Sequence, residues 1–445
     1  MLLIRSLLVS VAAITMASGA TPDGVWRSDG YGSFIEIQGD TLKAYELTSI
    51  SCLPSMTATR KPAGNGEIVF GAEDELFRFI PGAPGDEARL HVDGAASDIV
   101  LHRAAAKPKL CDQPPPDTPQ SNYAIFWQTY AENYAFFDLR HIDWQSADRK
   151  FRPQVTAATT PAQLFDILQQ MIEPLDDAHT SIFARRLKNF HGRRPDPNHL
   201  TPDEWVKAND LMETKYISGK LQSFCNGHVQ FGMLGETTGY LRVNSFSGYA
   251  NGGYLAELHA LEDALDAGFR DSKNLRALVI DVRRNSGGSD PLGFEIASRL
   301  TAAKYLAYRK VTRNNPDGPL HFTDPQESWV VPSSRPGFRG PVVLLTGPDT
   351  ISAGETFTMA LMERQPRVTR IGQNTQGVFS DVLGRTLPNG WRFGLPNEVY
   401  LTRDGKAFDG PGVPPDVPLP SWKADLAAGK DTGLEKAREV LQAGK

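Results

Sequence analysis

The tightest constraint on what this chain can fold into is an alternation of strand-like and helix-like segments that starts at Gly239. Gly239-Tyr240-Leu241-Arg242-Val243 reads as a strand, and Leu255 to Phe269 as an amphipathic helix. Leu275 to Val282 is a buried strand that runs into a glycine-rich turn. Phe294 to Ala303 is a helix, and Val342 to Thr346 is a second buried strand. Apolar strands interleaved with helices imply an α/β layered domain.

The rest of the chain divides around that core. Residues 21–106 hold short strand-like runs such as Ser33-Phe34-Ile35-Glu36-Ile37 and Leu76-Phe77-Arg78-Phe79-Ile80, punctuated by turn residues, and predict a small β domain. Residues 107–119, with Pro114-Pro115-Pro116, predict a linker. Residues 120–235, which carry the D-x-H motif, predict a helical segment: Tyr123, Phe126, Trp127, Tyr130, Tyr134 and Phe137 recur at helical spacing, an aromatic stripe suited to a core. A second helix opens at Pro161. The layered core then covers residues 236–421, and residues 422–445 predict a C-terminal helix.

Residues 1–20 differ in kind. Arg5 is their only charge, Leu7 to Met16 is apolar, and Ser18-Gly19-Ala20 offers the small residues a signal peptidase reads. The expectation is an exported protein, periplasmic or secreted, with no integral membrane segment once the signal is removed. Loss of Arg5 would take the net charge from −5 to −6. A mildly acidic chain without a basic run argues against nucleic acid as a partner. Of three cysteines, Cys52 and Cys111 flank the β domain and could pair, while Cys225 reads as a small buried side chain. No nucleotide loop and no metal-ligand spacing is present, so neither cofactor nor metal is expected.

Four stretches carry reactive side chains. They are Leu175-Asp176-Asp177-Ala178-His179-Thr180, Asp281-Val282-Arg283-Arg284-Asn285-Ser286-Gly287-Gly288, Thr346 to Phe357 around Ser352, and Leu395 to Tyr400 followed by Gly410 to Asp416. Locally, Ser352-Ala353-Gly354-Glu355 is a capping box, a purely structural device. A serine at a strand-to-helix turn also lies beside unpaired N–H groups at the positive end of a helix, where an oxyanion can be held. Acyl transfer needs a nucleophile, a base, a group that orients the base and oxyanion donors. Ser352, His179 and Glu398 supply the first three types, and the N–H groups of Ala353 and of Gly287-Gly288 the last. Each has an ordinary structural use as well, and nothing in single-residue reasoning joins stretches more than two hundred positions apart.

In this order, L-x-D-x-H-T, D-V-R-x-N-x-G-G, T-x-x-S-A-G-E and G-x-G-V-x-P-D, the stretches resemble the tricorn core and C-terminal-processing serine peptidase family over roughly residues 120–420. The resemblance implies a ClpP/crotonase-like ββα spiral. It makes Ser352 the nucleophile, with the N–H of Ala353 and one from the Gly287-Gly288 turn, that of Gly287, as the oxyanion hole. The C-terminal-processing branch takes its base from a lysine in T-x-G-K, and here Thr375-Gln376-Gly377 is followed by Val378. The tricorn-like branch uses a histidine and a downstream glutamate, which His179 and Glu398 match. Ala178 stands where tricorn has a serine that bridges the two.

Gly239 follows Thr180 by 59 residues, too few for an inserted PDZ domain together with its connections. The function expected is that of an exported serine peptidase acting on a peptide or protein substrate, with homo-oligomer formation left open. The alternatives are a lipophilic-ligand-binding module of the same fold, and an esterase or amidase on a non-peptide substrate.

Overall fold

The computed structural model describes residues 22–64, 66–83, 85–314 and 321–443, so the expected signal peptide lies outside the described residues. The chain first builds a closed, up-and-down antiparallel barrel. Its strands are β1 (Gly24–Ser28), β2 (Ser33–Gln38), β3 (Thr41–Leu47), β4 (Cys52–Lys61), β5 (Ile68–Ala72), β6 (Glu75–Pro81), β7 (Glu87–Val92) and β8 (Ile99–Ala104). Closure comes from β1 pairing with β8, Trp26 opposite Arg103. Pairing every strand on both sides leaves no open edge for another chain to add to. Alternate residues point inward, and Trp26, Ile35, Ile37, Phe70, Phe77, Phe79 and Leu101 fill the interior. A disulfide joins Cys52, at the start of β4, to Cys111 beyond the last barrel strand.

Three helices follow: α1 (Pro119–Asn133), α2 (Trp144–Phe151) and α3 (Pro161–Ile172). Both α1 and α3 start with proline behind a threonine whose hydroxyl caps the helix, Thr118 and Thr160. The aromatic stripe is core. Tyr123, Phe126, Tyr130, Tyr134 and Phe137 pack with Trp144, Phe165, Trp391 and Phe393. Residues 120–235 are not helical throughout, however. After α3 come β9 (Ser181–Phe183), β10 (Asn189–His191), α4 (Pro202–Leu211), β11 (Gln222–Phe224) and β12 (Val229–Met233). These strands are three to five residues long, too short for a period-2 pattern to be read.

The core sheet has the order β11-β12-β13-β14-β17-β18-β22, with β13 (Thr238–Val243), β14 (Ala277–Asp281), β17 (Val342–Thr346), β18 (Thr369–Gly372) and β22 (Val417–Pro418) all parallel. Helices α5 (Gly253–Gly268), α6 (Asp290–Ser298) and α7 (Ala353–Ala360) pack against Leu278, Ile280 and Leu344 on one face. The other face, Val279, Val343 and Leu345, meets Leu434 and Ala437 of the C-terminal helix. Burial on both faces is why β14 and β17 read as apolar runs. α6 begins four residues before the position expected for it, because Pro291 sits at its first turn. The C-terminal segment forms two helices rather than one, α8 (Trp422–Ala427) and α9 (Thr432–Ala443), separated at Gly429, whose φ is 64°.

Two smaller sheets complete the fold. One has the order β10-β9-β20-β19, with β19 (Val382–Thr386) and β20 (Arg392–Pro396). The other has the order β16-β15-β21, with β15 (Tyr305–Thr312), β16 (Gln326–Val330) and β21 (Glu398–Leu401). The fold is thus α/β, a spiral-type core with a helical segment and an N-terminal β domain.

Candidate active site

Ser352 follows β17 (Val342–Thr346) after the loop 347–351 and immediately precedes α7. Its backbone has φ 56° and ψ −124°, a conformation that non-glycine residues avoid at a cost on the order of 1–3 kcal/mol. Several bonds hold it there. The Ser352 N–H donates to the Val378 carbonyl at 3.0 Å and to Glu355 Oε2 at 3.3 Å. The Ile351 N–H donates to the Asn285 carbonyl at 3.0 Å. The Glu355 N–H goes to the Ser352 carbonyl at 2.7 Å, so the hydroxyl is at most a loose second acceptor for it. Both halves of the capping box are thus present, the hydroxyl half only as a second, weaker acceptor, and the capping box leaves the Ser352 O–H proton unused. Among the described residues the Ala353 N–H has no acceptor; it opens α7 with its positive end toward Ser352.

The glycine turn after β14 lies against this serine. A Cβ at Gly287 (φ 84°) would fall 2.6 Å from Ser352 Cβ and 3.1 Å from its Oγ, so only glycine fits. Asn285 shapes the turn: its Nδ2 donates to the Val243 carbonyl at 2.9 Å, and its Oδ1 accepts the Gly287 N–H at 3.0 Å. The Gly287 N–H is thus spent within the turn. The Gly288 N–H has no acceptor among the described residues. Asp281 and Arg283 belong to a buried structural cluster, with Arg283 Nη2 at 2.6 Å from Asp281 and 2.9 Å from Asp431.

His179 stands two residues before β9. Because Ser181 pairs with Gly394 of the antiparallel β20, continuing that register sets His179 level with Pro396, two residues from Glu398. Asp177 fixes the segment: its carboxylate accepts the His179 N–H at 3.0 Å and the Tyr134 hydroxyl at 2.9 Å. Burial lowers the imidazole pKa below its ordinary value, while Asp177 and Glu398 pull it the other way. The ring is therefore neutral near neutral pH. Nδ1 of His179 is buried and lacks a hydrogen-bond partner; no hydrogen bond joins the ring to Ser352 or to Glu398 among the described residues.

Glu398 is fully buried and is not the surface carboxylate its sequence context allows. Its Oε1 accepts from Lys310 Nζ at 2.8 Å and from the Tyr31 hydroxyl at 2.6 Å, and its Oε2 accepts the Asp381 N–H at 3.1 Å. Burial raises its pKa, Lys310 opposes this, and Asp381 adds to it. For Lys310 burial works against the charge, but Glu398, Tyr31 and Asp381 prevail and push the ammonium pKa well up. Lys310 is thus a fixed cation and not a free base.

A single segment ties the two sides together. At one end the Val378 carbonyl receives the Ser352 N–H. At the other, Ser380 Oγ accepts the N–H groups of Asn397 and Glu398, both at 3.1 Å, and Asp381 reaches Glu398 itself. Three residue steps span at most about 11 Å. Glu355, read from sequence only as part of the capping box, orders this segment: it accepts the N–H of Gly377 at 2.6 Å and of Val378 at 2.8 Å, and the Thr375 hydroxyl at 2.5 Å. Burial pushes its pKa up to about 7. Sequence reasoning also missed Lys310, Tyr31 and Asp381. No motif marks them; the lysine in an apolar strand, Tyr305–Thr312, was the one available signal.

Residues 237–419 match the family model described as peptidase family S41, and residues 115–173 match that of the tricorn protease C1 domain. The chain is similar to a carboxyl-terminal-processing protease of Synechocystis sp., 26% identical over 249 residues that make up 55% of this chain and 51% of the relative. It is also similar to a chloroplastic carboxyl-terminal-processing peptidase 2 of Arabidopsis thaliana, 28% identical over 182 residues, 41% of this chain and 32% of the relative. The chain thus spans about half the length of the first and a third of the second. Among solved structures, a Parabacteroides merdae protein assigned as a peptidase is similar at a TM-score of 0.61 and 26% identity, over 73% of this chain and 97% of that one. The resemblance read from the motifs is borne out by these matches.

Proposed function

We propose that this chain, whose core is a peptidase family S41 domain, is an exported serine peptidase that hydrolyses peptide bonds through Ser352. One observation carries the reading. Ser352 is held in a strained conformation at a helix N-terminus, its hydroxyl beside Gly287 and flanked by the Ala353 N–H, which is unpaired among the described residues. A helix cap needs no such strain, whereas a nucleophile presented at a turn does.

In this reading His179 Nε2 takes the Ser352 proton as Oγ attacks the scissile carbonyl carbon. The N–H groups of Ala353 and Gly288 receive the oxyanion, since that of Gly287 is engaged by Asn285. His179 then returns the proton to the leaving amine, and the acyl-enzyme is released by a water that His179 activates. Glu398 stabilises the imidazolium that forms on the way. The low pKa of the buried imidazole suits it to accepting a proton at neutral pH. The Cys52–Cys111 disulfide supports export, because such bonds persist in oxidising compartments.

The test is reaction of the purified protein with a fluorophosphonate, followed by mass spectrometry of the modified peptide. The label is expected on Ser352, to be lost in Ser352→Ala and slowed by at least about a hundredfold in His179→Ala. Folded protein that takes no label would return Ser352 to the role of helix cap.

A further inference from the structure

Tyr31 lies in the turn between β1 and β2 of the barrel, Asp29-Gly30-Tyr31-Gly32. Its φ is 61°, between glycines at 70° and 51°. Such a turn takes glycine or asparagine without strain, and an aromatic residue there is an outlier that asks for a reason. The side chain supplies one. It leaves the barrel, and its hydroxyl donates to Glu398 Oε1 at 2.6 Å.

The turn is fixed onto the core by bonds of its own. The Gly30 N–H donates to Asn314 Oδ1 at 2.6 Å, Asn314 Nδ2 donates to Asp29, and Arg385 Nη2 donates to the Tyr31 carbonyl. A Cβ at Gly30 would fall 2.8 Å from Thr312 Cγ2, so the backbone lies directly on β15. β15 is the strand that carries Lys310, and Thr312 pairs with Glu398 across the sheet.

We propose that Tyr31 is a positioning residue for Glu398, so that the N-terminal barrel completes the active site of the core. The inference rests on Glu398 serving His179, as proposed above. A carboxylate has about four lone-pair sites. Tyr31 and Lys310 fill those of Oε1, and the Asp381 N–H takes one on Oε2. Among the described residues the site that remains is on Oε2, and the buried Nδ1 of His179 has no partner. Tyr31 and Lys310 together fix which oxygen faces the imidazole, and both favour the ionised carboxylate against the rise in pKa that burial imposes. Ala178, before His179, has no hydroxyl to do this. The other charged or titratable groups around Glu398 are Asp381 before β19, Asp290 at the start of α6, and Tyr308 and Tyr400 on β15 and β21. None of these four reaches Oε1.

The experiment is the second-order rate of fluorophosphonate labelling of the full chain against pH, in wild type, in Tyr31→Phe, and with 3-fluorotyrosine placed at position 31. Removing the hydroxyl weakens the ionised carboxylate, so Tyr31→Phe is expected to slow labelling about tenfold at neutral pH. Its acid limb should move to higher pH. Fluorotyrosine keeps the shape and donates more strongly, so its limb should move to lower pH. A purely structural tyrosine would give neither shift. Should Tyr31→Phe fold poorly, the fluorotyrosine shift alone decides. Labelled wild type with unmoved limbs in both variants overturns the role of Tyr31 and leaves the peptidase reading intact. No label on wild type overturns that reading, and the role of Tyr31 with it.

Discussion

The two sides of the candidate site are built differently. The nucleophile side is main chain: Ser352, Ala353, the Gly287-Gly288 turn and the Val378 carbonyl are arranged by backbone bonds and by the absence of side chains. The base side is side chain. His179, Glu398, Lys310, Tyr31 and Asp381 come from five separate places, and most of their order is in one buried carboxylate. Backbone geometry of this kind demands particular residues in a row, so it leaves motifs. A buried carboxylate demands only that some donor arrive from somewhere, so it leaves none.

The largest effect expected on the base side is on stability. Lys310→Met removes the cation facing Glu398 in a site with almost no exposure. An uncompensated buried carboxylate costs about 3–5 kcal/mol. Chemical denaturation would measure it, and adding Glu398→Gln should restore part of the stability but none of the fluorophosphonate reactivity. A Lys310→Met protein as stable as wild type would mean the pair is not the support described here. On the nucleophile side, Gly287→Ala puts a methyl group 2.6 Å from Ser352 Cβ and forces a positive φ on alanine. By displacing Ser352 and the adjoining Gly288 N–H, the proposed oxyanion donor, the change should lower labelling by about 10²–10³-fold, the range for losing one such donor. If the loss were less than tenfold, Ser352 would have to be less tightly framed than it is here.

The same contrast governs what could be read from the amino-acid sequence. The strand Val342–Thr346 was legible to the residue because both of its faces are buried. The glycine turn and the serine turn were legible as motifs for the reason just given. The barrel could be seen only as short strands, since closure is a matter of β1 meeting β8 more than seventy residues away. β9 and β10, which carry His179 into place, are three residues each and have no pattern to find. Nothing in the sequence singles out Tyr31, because its partner is 367 positions away. Lys310 belongs to none of the four motif stretches, yet it is the cation bound to Glu398.

Glu355 lies between the two sides and gives a pH test. Its folded pKa of about 7 exceeds the 4.5 of an ordinary glutamate because of burial. The folded state therefore holds a proton that the unfolded state has lost between those values. Stability contributed by this group is fully present below pH 4.5 and is lost as pH rises through 7. The loss is at most roughly 3 kcal/mol, from 1.36 kcal/mol per pH unit. Glu355→Gln should flatten the stability profile across that window by one proton's worth of slope. An unchanged slope would place the titration elsewhere, among Asp290 or Asp409, whose carboxyl groups burial also raises.

The smallest effect expected is from Ala178→Ser. It adds a hydroxyl immediately before His179, where it could reach toward the base but has no vacancy on Oε1 of Glu398 to fill. If Tyr31 and Lys310 already orient that carboxylate, an extra donor adds little. The labelling rate should stay within about threefold of wild type, less than 1 kcal/mol. The informative outcome is in combination. In a Tyr31→Phe background the added hydroxyl has an unfilled acceptor to bond, so Ala178→Ser should there recover part of the lost rate. Recovery in the double variant with near-silence in the single one would show the two hydroxyls to be alternatives for one task. Equal effects in both backgrounds would mean that position 178 acts on His179 independently of Glu398.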